Sequence, residues 1–590
     1  MKKALYITVA FAAFASLAAS AESQWSWSEY QFDRDQRMGA IVFDVDNDGL
    51  NDLIYLNDGG VRIYLNDSEN PGQSFTKSQD TGIEWIKFAK MCAFDYDNDG
   101  YADLVISGKH NDDHLTYLYH NDAATQPGHF SYVETNLPVV KTDDNGNESF
   151  VYKMFAAGDY DRDGYVDLAV CGVNDGRLNR LYRNNGGDGT FTEVTTFPTE
   201  SGRMHPMSGS ITMADMDNDG WLDIIVDGWA DEAPVGSSGA GSNTRVYKNV
   251  NGESFVDVSP AEDKFRSARG ANHQINDFNC DGYLDYLTVG YNDYNDGAGY
   301  GGWFNAIFYG TGDESVIKGV GELHLELPWS DTFGIHVRDF DGDGNLDILY
   351  DGKEDNYIFY GTVDDSDNMK FSKASAQFAA RGGNIRDSRF GVGDLTGNNM
   401  SDCFKTGYEW CADDLAAFYG ISGGWNFAGF AFINQAGGPE VIDVPTDVKA
   451  VEADGKICIT WTDVADKTYA YNVVALCGDK VLANIPVSVT DNGAHVSVSE
   501  GREACIRPGV QAYELPLPEG NYKVGVQAVS LYTEAGSDIA WAETSSIEDI
   551  AVETEGPAKF FDIMGRTVSE SFRGVCVKVQ NGKATKMILK

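Results

Sequence analysis

Residues 43–56 read FDVDNDGLNDLIYL. Carboxylates at Asp44, Asp46, Asp48 and Asp52 surround Gly49, and an apolar run follows. In D-x-D-x-D-G-x-x-D, side-chain oxygens come from positions 1, 3, 5 and 9. The glycine permits a sharp bend, and the carbonyl at position 7 adds another oxygen. This many hard oxygen donors suit Ca²⁺, whereas Mg²⁺ takes fewer protein ligands and keeps its water. Without a cation the charges would repel one another. The ligands of this stretch would be Asp44, Asp46, Asp48, the Leu50 carbonyl and Asp52.

The stretch recurs. The second copy offers Asp95, Asp97, Asp99, Tyr101 and Asp103, and the third Asp159, Asp161, Asp163, Tyr165 and Asp167. The fourth has Asp215, Asp217, Asp219, Trp221 and Asp223, and the fifth Asp277, Asn279, Asp281, Tyr283 and Asp285. The sixth has Asp339, Asp341, Asp343, Asn345 and Asp347. A seventh, GDLTGNNMSDCFKT, keeps Asp394 but has Thr396, Asn398 and Asn399 where Asp, Asp and Gly are expected. About six Ca²⁺ sites are therefore expected, the seventh being degenerate. An EF-hand needs a glutamate at position 12 between two helices. Here position 12 is Tyr55, Ile106, Val170, Val226, Thr288 or Tyr350, and the flanks read as strands.

The first aspartates lie 51 to 64 residues apart, so the chain is a repeat array. A second signature trails most copies: an apolar run ending in Tyr and often Asn, a Gly turn, then alternating residues, as in LYRNNGGDGTFTEVT. Each period then holds about four short strands, and seven such units predict a seven-bladed β-propeller. The N-terminal WSWSEYQF, residues 25–32, has the pattern of a fourth strand and is expected to complete the last blade.

These copies resemble FG-GAP (VCBS) repeats, found in integrin α-subunit propellers and many secreted bacterial proteins. RFGVGDL keeps the Phe390-Gly391 pair of that family. The resemblance spans roughly residues 25–439. It implies Ca²⁺ in the loop between the first two strands of each blade. It implies no single function, since relatives include adhesins, lectins, lyases and scaffolds.

Of 590 residues, 91 are Asp or Glu and 44 are Lys or Arg, a net charge of −47. That balance excludes nucleic acid as a partner. Residues 1–21 read as a secretory signal peptide, with Lys2 and Lys3 before an apolar run and Ala19-Ser20-Ala21 at the cleavage site. No other run is long and apolar enough to span a membrane. The nine cysteines show no disulfide framework, and Cys92 and Cys171 read as small buried hydrophobes.

Residues 440–543 carry short alternating strands and resemble a fibronectin type III sandwich, with Trp461 as its core aromatic. An acidic linker, 544–556, follows. The tail, 557–590, resembles the C-terminal sorting domain of type IX secretion in Bacteroidetes at Asp562, Gly565, Arg566, Val568, Gly574, Gly582 and Lys583. Cys576 departs from that pattern, and a plain terminal hairpin is the other reading. The fold class is thus all-β, and the expected location is extracellular or on the outer-membrane surface.

On the face away from the aspartate loops, residues 290–304 offer Tyr291, Tyr294, Tyr300 and Trp303. Aromatic rings beside Asn and Asp suit sugar stacking and hydroxyl bonding, though a solvated turn with packing aromatics has the same composition. A basic residue or histidine precedes every first aspartate: Arg37, Lys87 with Lys90, Lys153, Arg203 with His205, Arg269 with His273, His336, and Arg386 with Arg389. Gathered at one axial mouth they would favour an acidic glycan; paired with neighbouring carboxylates they would be structural. Two functions follow. One is a non-enzymatic, Ca²⁺-stabilised surface module that binds glycan or protein. The alternative is a lyase-like enzyme on acidic polysaccharide, with His205, His273 and Tyr300 as candidates. No nucleophile or zinc motif is present, which favours binding.

Overall fold

The computed structural model describes residues 25–28, 30, 32, 39–57, 60–111, 113–140, 153–173, 177–198, 209–230, 241–260, 269–292, 302–312, 316–317, 323–324, 332–352, 356–363, 369–375, 379–380, 383–411, 424–436, 441–453, 456–464, 470–478, 480–490, 493–510, 512–516, 522–542, 559–562, 567–568, 574–580 and 583–589. Among them the chain is all-β, with a single 3-10 turn at Arg502–Ala504. No described helix is long and apolar enough to cross a membrane.

The repeat region forms seven small antiparallel sheets among the described residues. Sheet 1 runs Ala40–Phe43, Asp52–Asn57, Gly60–Asn66 and Phe75–Lys77. Sheet 2 runs Lys87–Phe94, Asp103–His110, Asp113–Asn121 and Phe130–Val133. Sheets 3 to 6 repeat this order, their first strands being Phe155–Gly158, Ile211–Ala214, Arg269–Asn276 and Thr332–Arg338. Sheet 7 has Gly383–Gly393, Asp402–Cys411 and Gly424–Asn434. In each, the aspartate loop joins the first strand to the second, so a single turn sets both the hairpin and the loop. The first strand of each sheet lies against the first or second strand of its neighbour. The series closes, because Ala40–Phe43 lies against Gly383–Gly393.

The ends meet as the sequence pattern suggested. Trp25–Trp27 pairs antiparallel with Gly424–Asn434, Trp25 opposite Asn434 and Trp27 opposite Phe432. Trp25 then packs on Phe340, with ring centroids 6.1 Å apart. Phe32 continues into sheet 1, its ring within about 5 Å of those of Tyr64, Phe75 and Phe404.

The Tyr-x-Asn signature has a mechanical role. The Asn66 side chain donates to the Asn51 carbonyl of its own loop and to the Leu395 carbonyl of loop 7. Asn121, Asn184, Asn249 and Asn434 do the same, reaching back to Val45, Tyr96, Tyr160 and Phe340. One buried amide thus ties each of these sheets to the loop before it, where an unpaired carbonyl would cost about 1–3 kcal/mol. Sheets 5 and 6 have Gly310 and Gly361 at this place.

Beyond residue 440 two further sheets share a core. Thr446–Ala453, Lys456–Thr462 and Ala512–Leu515 form one, and Lys480–Ala483, Ala470–Cys477, Lys523–Val529 and Ala540–Trp541 the other. Trp461 is buried between them, its ring 5.4 Å from that of Tyr471. A hairpin, Val487–Thr490 with Gly493–Val496, extends from this unit. The tail makes its own sheet from Lys559–Asp562, Thr567–Val568, Gly574–Gln580 and Lys583–Leu589.

Candidate metal centres

All seven loops share one backbone form. Position 4 is left-handed, with φ near 60° at Asn47, Asn98, Arg162, Asn218 and Cys280, and position 6 is left-handed with φ near 90° at the glycines. Asn and Gly tolerate that region, which explains N-D-G in the motif.

The aspartates divide their work. Position 1 closes the turn: Asp44 accepts from the backbone N–H of Asp48 at 3.2 Å and of Gly49 at 3.0 Å. Position 9 clips loop to sheet: Asp52 accepts from Val45 N at 2.8 Å and Asn66 N at 2.7 Å. Position 5 steadies the loop end, Asp48 accepting from Leu50 N at 2.9 Å. These bonds recur in the later copies, as at Asp95, Asp99 and Asp103.

Position 3 is different. Asp46, Asp97, Asp161 and Asp217 each keep a buried oxygen, Oδ1, with no hydrogen-bond partner. Buried polar atoms of this kind are rare unless an ion or water meets them. In loops 2 to 4 the oxygens of positions 1, 3 and 9 lie within 4.8 Å of one another, and so do those of positions 1, 3 and 5 in loop 1. Burial, with neighbouring carboxylates adding, pushes Asp46 up to about 6 and Asp44, which also feels Asp48, up to about 7. Burial likewise raises Asp215 to about 7 and Asp339 to about 6. Several carboxylates that resist ionising in one small pocket, plus an orphaned oxygen, are the donor set a hard divalent cation would satisfy. The residues fit Ca²⁺.

Loop 7 separates folding from coordination. Asp394 still accepts from Thr396, Gly397 and Asn399, and Asp402 from Leu395 and Asn434. The loop keeps its shape with Thr396 and Asn398 at positions 3 and 5.

Neighbouring loops are also linked. The position-4 side chain of each donates to the position-6 carbonyl of the next: Asn47 to Gly100 (2.8 Å), Asn98 to Gly164 (3.0 Å), Arg162 to Gly220 and Asn218 to Gly282 (2.8 Å). Cys280 ends this relay, facing the Tyr532 hydroxyl instead.

The sequence did not foretell what covers these loops. The unit beyond residue 440 docks on them. The Ser488 hydroxyl donates to Asp44 Oδ2 at 3.0 Å and lies 2.7 Å from Asn47 Oδ1. Asp44 N donates to the Ser497 carbonyl, Val481 N to the Asn98 carbonyl and Glu534 N to the Asn399 carbonyl. Tyr532 donates to the Asp277 carbonyl, and Arg507, 1% exposed, to the Gly282 carbonyl at 3.3 Å.

Docking also caps an axial cavity of about 210 Å³. Lys90, Lys153, His336 and Arg338 line it from the sheets, and Glu500 and Glu503 from the docked unit. Lys153 Nζ is 2.6 Å from Glu503 Oε1, and Arg338 Nε 3.1 Å from Glu534 Oε1. His336 is held neutral, its pKa lowered to about 3 by burial and then by Arg338. At this end Lys153 and Arg338 meet carboxylates from the docked unit. His273 also departs from the ligand-binding expectation: it is 1% exposed, with Nδ1 2.8 Å from Asp227 and Nε2 2.8 Å from Thr212. A residue locked between two sheets cannot meet a glycan or its α-proton.

Arg203, His205, Tyr294 and Tyr300 lie outside the described residues. Arg269, Tyr291 and Trp303 are placed by their backbones alone, Tyr291 standing opposite both Arg269 and Trp303 in sheet 5.

Residues 44–106, 95–170 and 159–226 match the family model of an FG-GAP-like repeat. No curated protein matches the chain. Among solved structures, it is similar to an Agrocybe aegerita lectin described as recognising non-reducing terminal N-acetylglucosamine, at 19% identity and a TM-score of 0.35 over 59% of this chain and 82% of that one. It is also similar to the exotype rhamnogalacturonan lyase YesX, at 13% identity and 0.35 over 70% and 76%. An exo-inulinase from Aspergillus awamori matches at 11% and 0.25 over 70% and 98%. Likeness at this level transfers neither ligand nor activity.

Proposed function

We propose that the chain is an exported, Ca²⁺-clamped seven-bladed β-propeller whose fibronectin type III-like unit caps the loop face, leaving the opposite face to bind glycan. The observation that carries the metal half is the orphaned, buried position-3 oxygen at Asp46, Asp97, Asp161 and Asp217. Asp44, Asp46, Asp48, the Leu50 carbonyl and Asp52 would hold the first ion, and their equivalents the others. A bound Ca²⁺ supplies charge neutralisation and cross-linking of the two hairpin strands. The FG-GAP-like repeats and the closed series of sheets support the propeller reading. The signal-like residues 1–21 and the sorting-like tail support export.

A described aromatic cluster supports the glycan half. On the side away from the aspartate loops, Trp85 is 38% and Tyr132 56% exposed. The Tyr117 and Tyr132 rings meet edge to face at 5.5 Å, and Tyr117 donates to Glu84 at 3.4 Å. His110 lies 2.8 Å from the Trp85 carbonyl and 3.6 Å from Glu84. Flat rings for a sugar face beside a carboxylate, an imidazole and the Asn111 amide, 2.6 Å from His110 Nε2, make a sugar-type surface. The lyase alternative loses support with His273 buried. A glycan array with the whole chain tests the reading. Hits weakened by Trp85→Ala with Tyr132→Ala are expected, and an array without hits overturns it.

A further inference from the structure

The residue just before each clipped Asn or Gly of the third strand sits at one register in all seven sheets. It is Leu65, His120, Arg183, Lys248, Tyr309, Tyr360 and Ile433 in turn. In sheets 2, 3 and 4 it is basic and reaches into its own aspartate loop. His120 Nδ1 lies 3.5 Å from Asp97 Oδ2 and 3.4 Å from Asp103 Oδ1, and Nε2 3.9 Å from Asp99 Oδ2. Arg183 Nε and its terminal nitrogen each lie 2.7 Å from carboxylate oxygens of Asp161 and Asp163. Lys248 Nζ bonds Asp217 and lies 3.1 Å from Asp219 Oδ2. The basic side chain thus meets positions 3 and 5 in loops 3 and 4, and positions 3, 5 and 9 in loop 2. Loops 1, 5 and 6 have Leu65, Tyr309 and Tyr360 at this register. Two further bases are near: Arg507 approaches from the docked unit, its charge felt at position 1 of loops 4 and 5, and Arg162 of loop 3 reaches positions 1 and 5 of loop 4.

We propose that the six near-complete loops form two classes: loops 2, 3 and 4 carry at this register a basic side chain seated on their own ligands, which weakens Ca²⁺ binding, while loops 1, 5 and 6 carry none there and depend on the ion. This rests on the reading that the loops take Ca²⁺. An incoming divalent ion in loops 2 to 4 must displace this basic side chain from its own ligands or sit beside it, and either raises the dissociation constant. The ion-dependent loops flank the place where the ends of the array meet. Loss of Ca²⁺ therefore loosens the closure between sheets 5, 6, 7 and 1 first, while sheets 2 to 4 hold themselves.

The test is calorimetric titration of the stripped whole chain with calcium chloride. Two classes of site are expected in the natural sequence. His120→Leu, Arg183→Leu and Lys248→Leu together should move the weak sites into the tight class, tightening each by at least about tenfold. Leu65→Lys is the converse and does not depend on that triple variant folding: it should remove one tight site. A single class of equal sites, or Leu65→Lys with an unchanged tight class, overturns the inference while leaving Ca²⁺ binding intact. No uptake by any of these proteins overturns the Ca²⁺ reading and the inference with it.

Discussion

Glu534 and Arg338 are 196 residues apart in the chain and 3.1 Å apart in the fold. Glu534 also meets Arg502 at 3.2 Å and accepts from the Ser401 hydroxyl at 2.7 Å. Burial alone would raise its carboxyl, but Arg502 and Arg338 outweigh that and hold it below the usual range. This carboxylate fastens the docked unit to the loop face. Glu534→Ala leaves two arginines facing each other without their shared anion. It is expected to cost about 3–5 kcal/mol, the usual penalty for breaking a buried pair. Chemical denaturation measures it, and a loss near zero would show that the two units do not depend on this contact.

Position 3 gives a sharper test of the loops than position 1, because the turn relies on it less and Asp46 keeps a buried oxygen without a hydrogen-bond partner. Asp46→Asn should lower the melting temperature in calcium by removing a ligand. In excess chelator it should be neutral or raise it, since it relieves repulsion with Asp48. Asp44→Ala should cost more than Asp394→Ala in calcium, as loop 7 lacks the ligands at positions 3 and 5. Equal losses with and without calcium in both comparisons would assign the loops a purely structural role.

Closure by the N-terminal strand is testable by deletion. Phe32 is 4% exposed among Tyr64, Phe75 and Phe404. Phe32→Ala is expected to cost about 3–5 kcal/mol, as core aromatic truncations do. Removal of residues 25–32 should loosen sheet 7 and sheet 1 together, read as faster amide exchange in both. Protection unchanged in sheet 1 would mean the ends close without this segment.

The loops and the strand order were legible because both are local. Spacings of two and four residues fix the turn, and each hairpin follows from it. The N-terminal strand was legible from pattern alone. Docking was not, because Glu534, Ser488 and Arg507 find partners hundreds of residues away and carry no motif. The tethered bases could have been found: stacking the copies on Tyr64-Leu65-Asn66, Tyr119-His120-Asn121, Tyr182-Arg183-Asn184 and Tyr247-Lys248-Asn249 exposes them. The basic residues before the first aspartates were read by sign alone. Only the fold shows that Lys153 and His273 are spent on Glu503 and Asp227.

Two buried histidines predict an acid response. Burial, then a neighbouring arginine, lowers His336 to about 3 beside Arg338 and His495 to about 4 beside Arg502, with Glu534 opposing at His495. Their unfolded value is about 6.5, so below it the unfolded chain binds more protons than the folded one. Stability is therefore present above pH about 6.5 and is lost as pH falls toward the folded values. In saturating calcium, His495→Asn should flatten the decline in unfolding free energy between neutral and mildly acid pH. An unchanged slope would mean that His495 takes up its proton equally in the folded and unfolded chain.

Calcium content per chain tests the central claim most directly. The whole chain, dialysed against metal-free buffer without chelator, is analysed by atomic emission beside a sample treated with excess chelator. The account predicts several tightly held Ca²⁺ ions per chain in the first sample, their loss in the second, and a lower melting temperature on that loss. A chain that retains no calcium and melts at the same temperature in calcium, magnesium and chelator would contradict it.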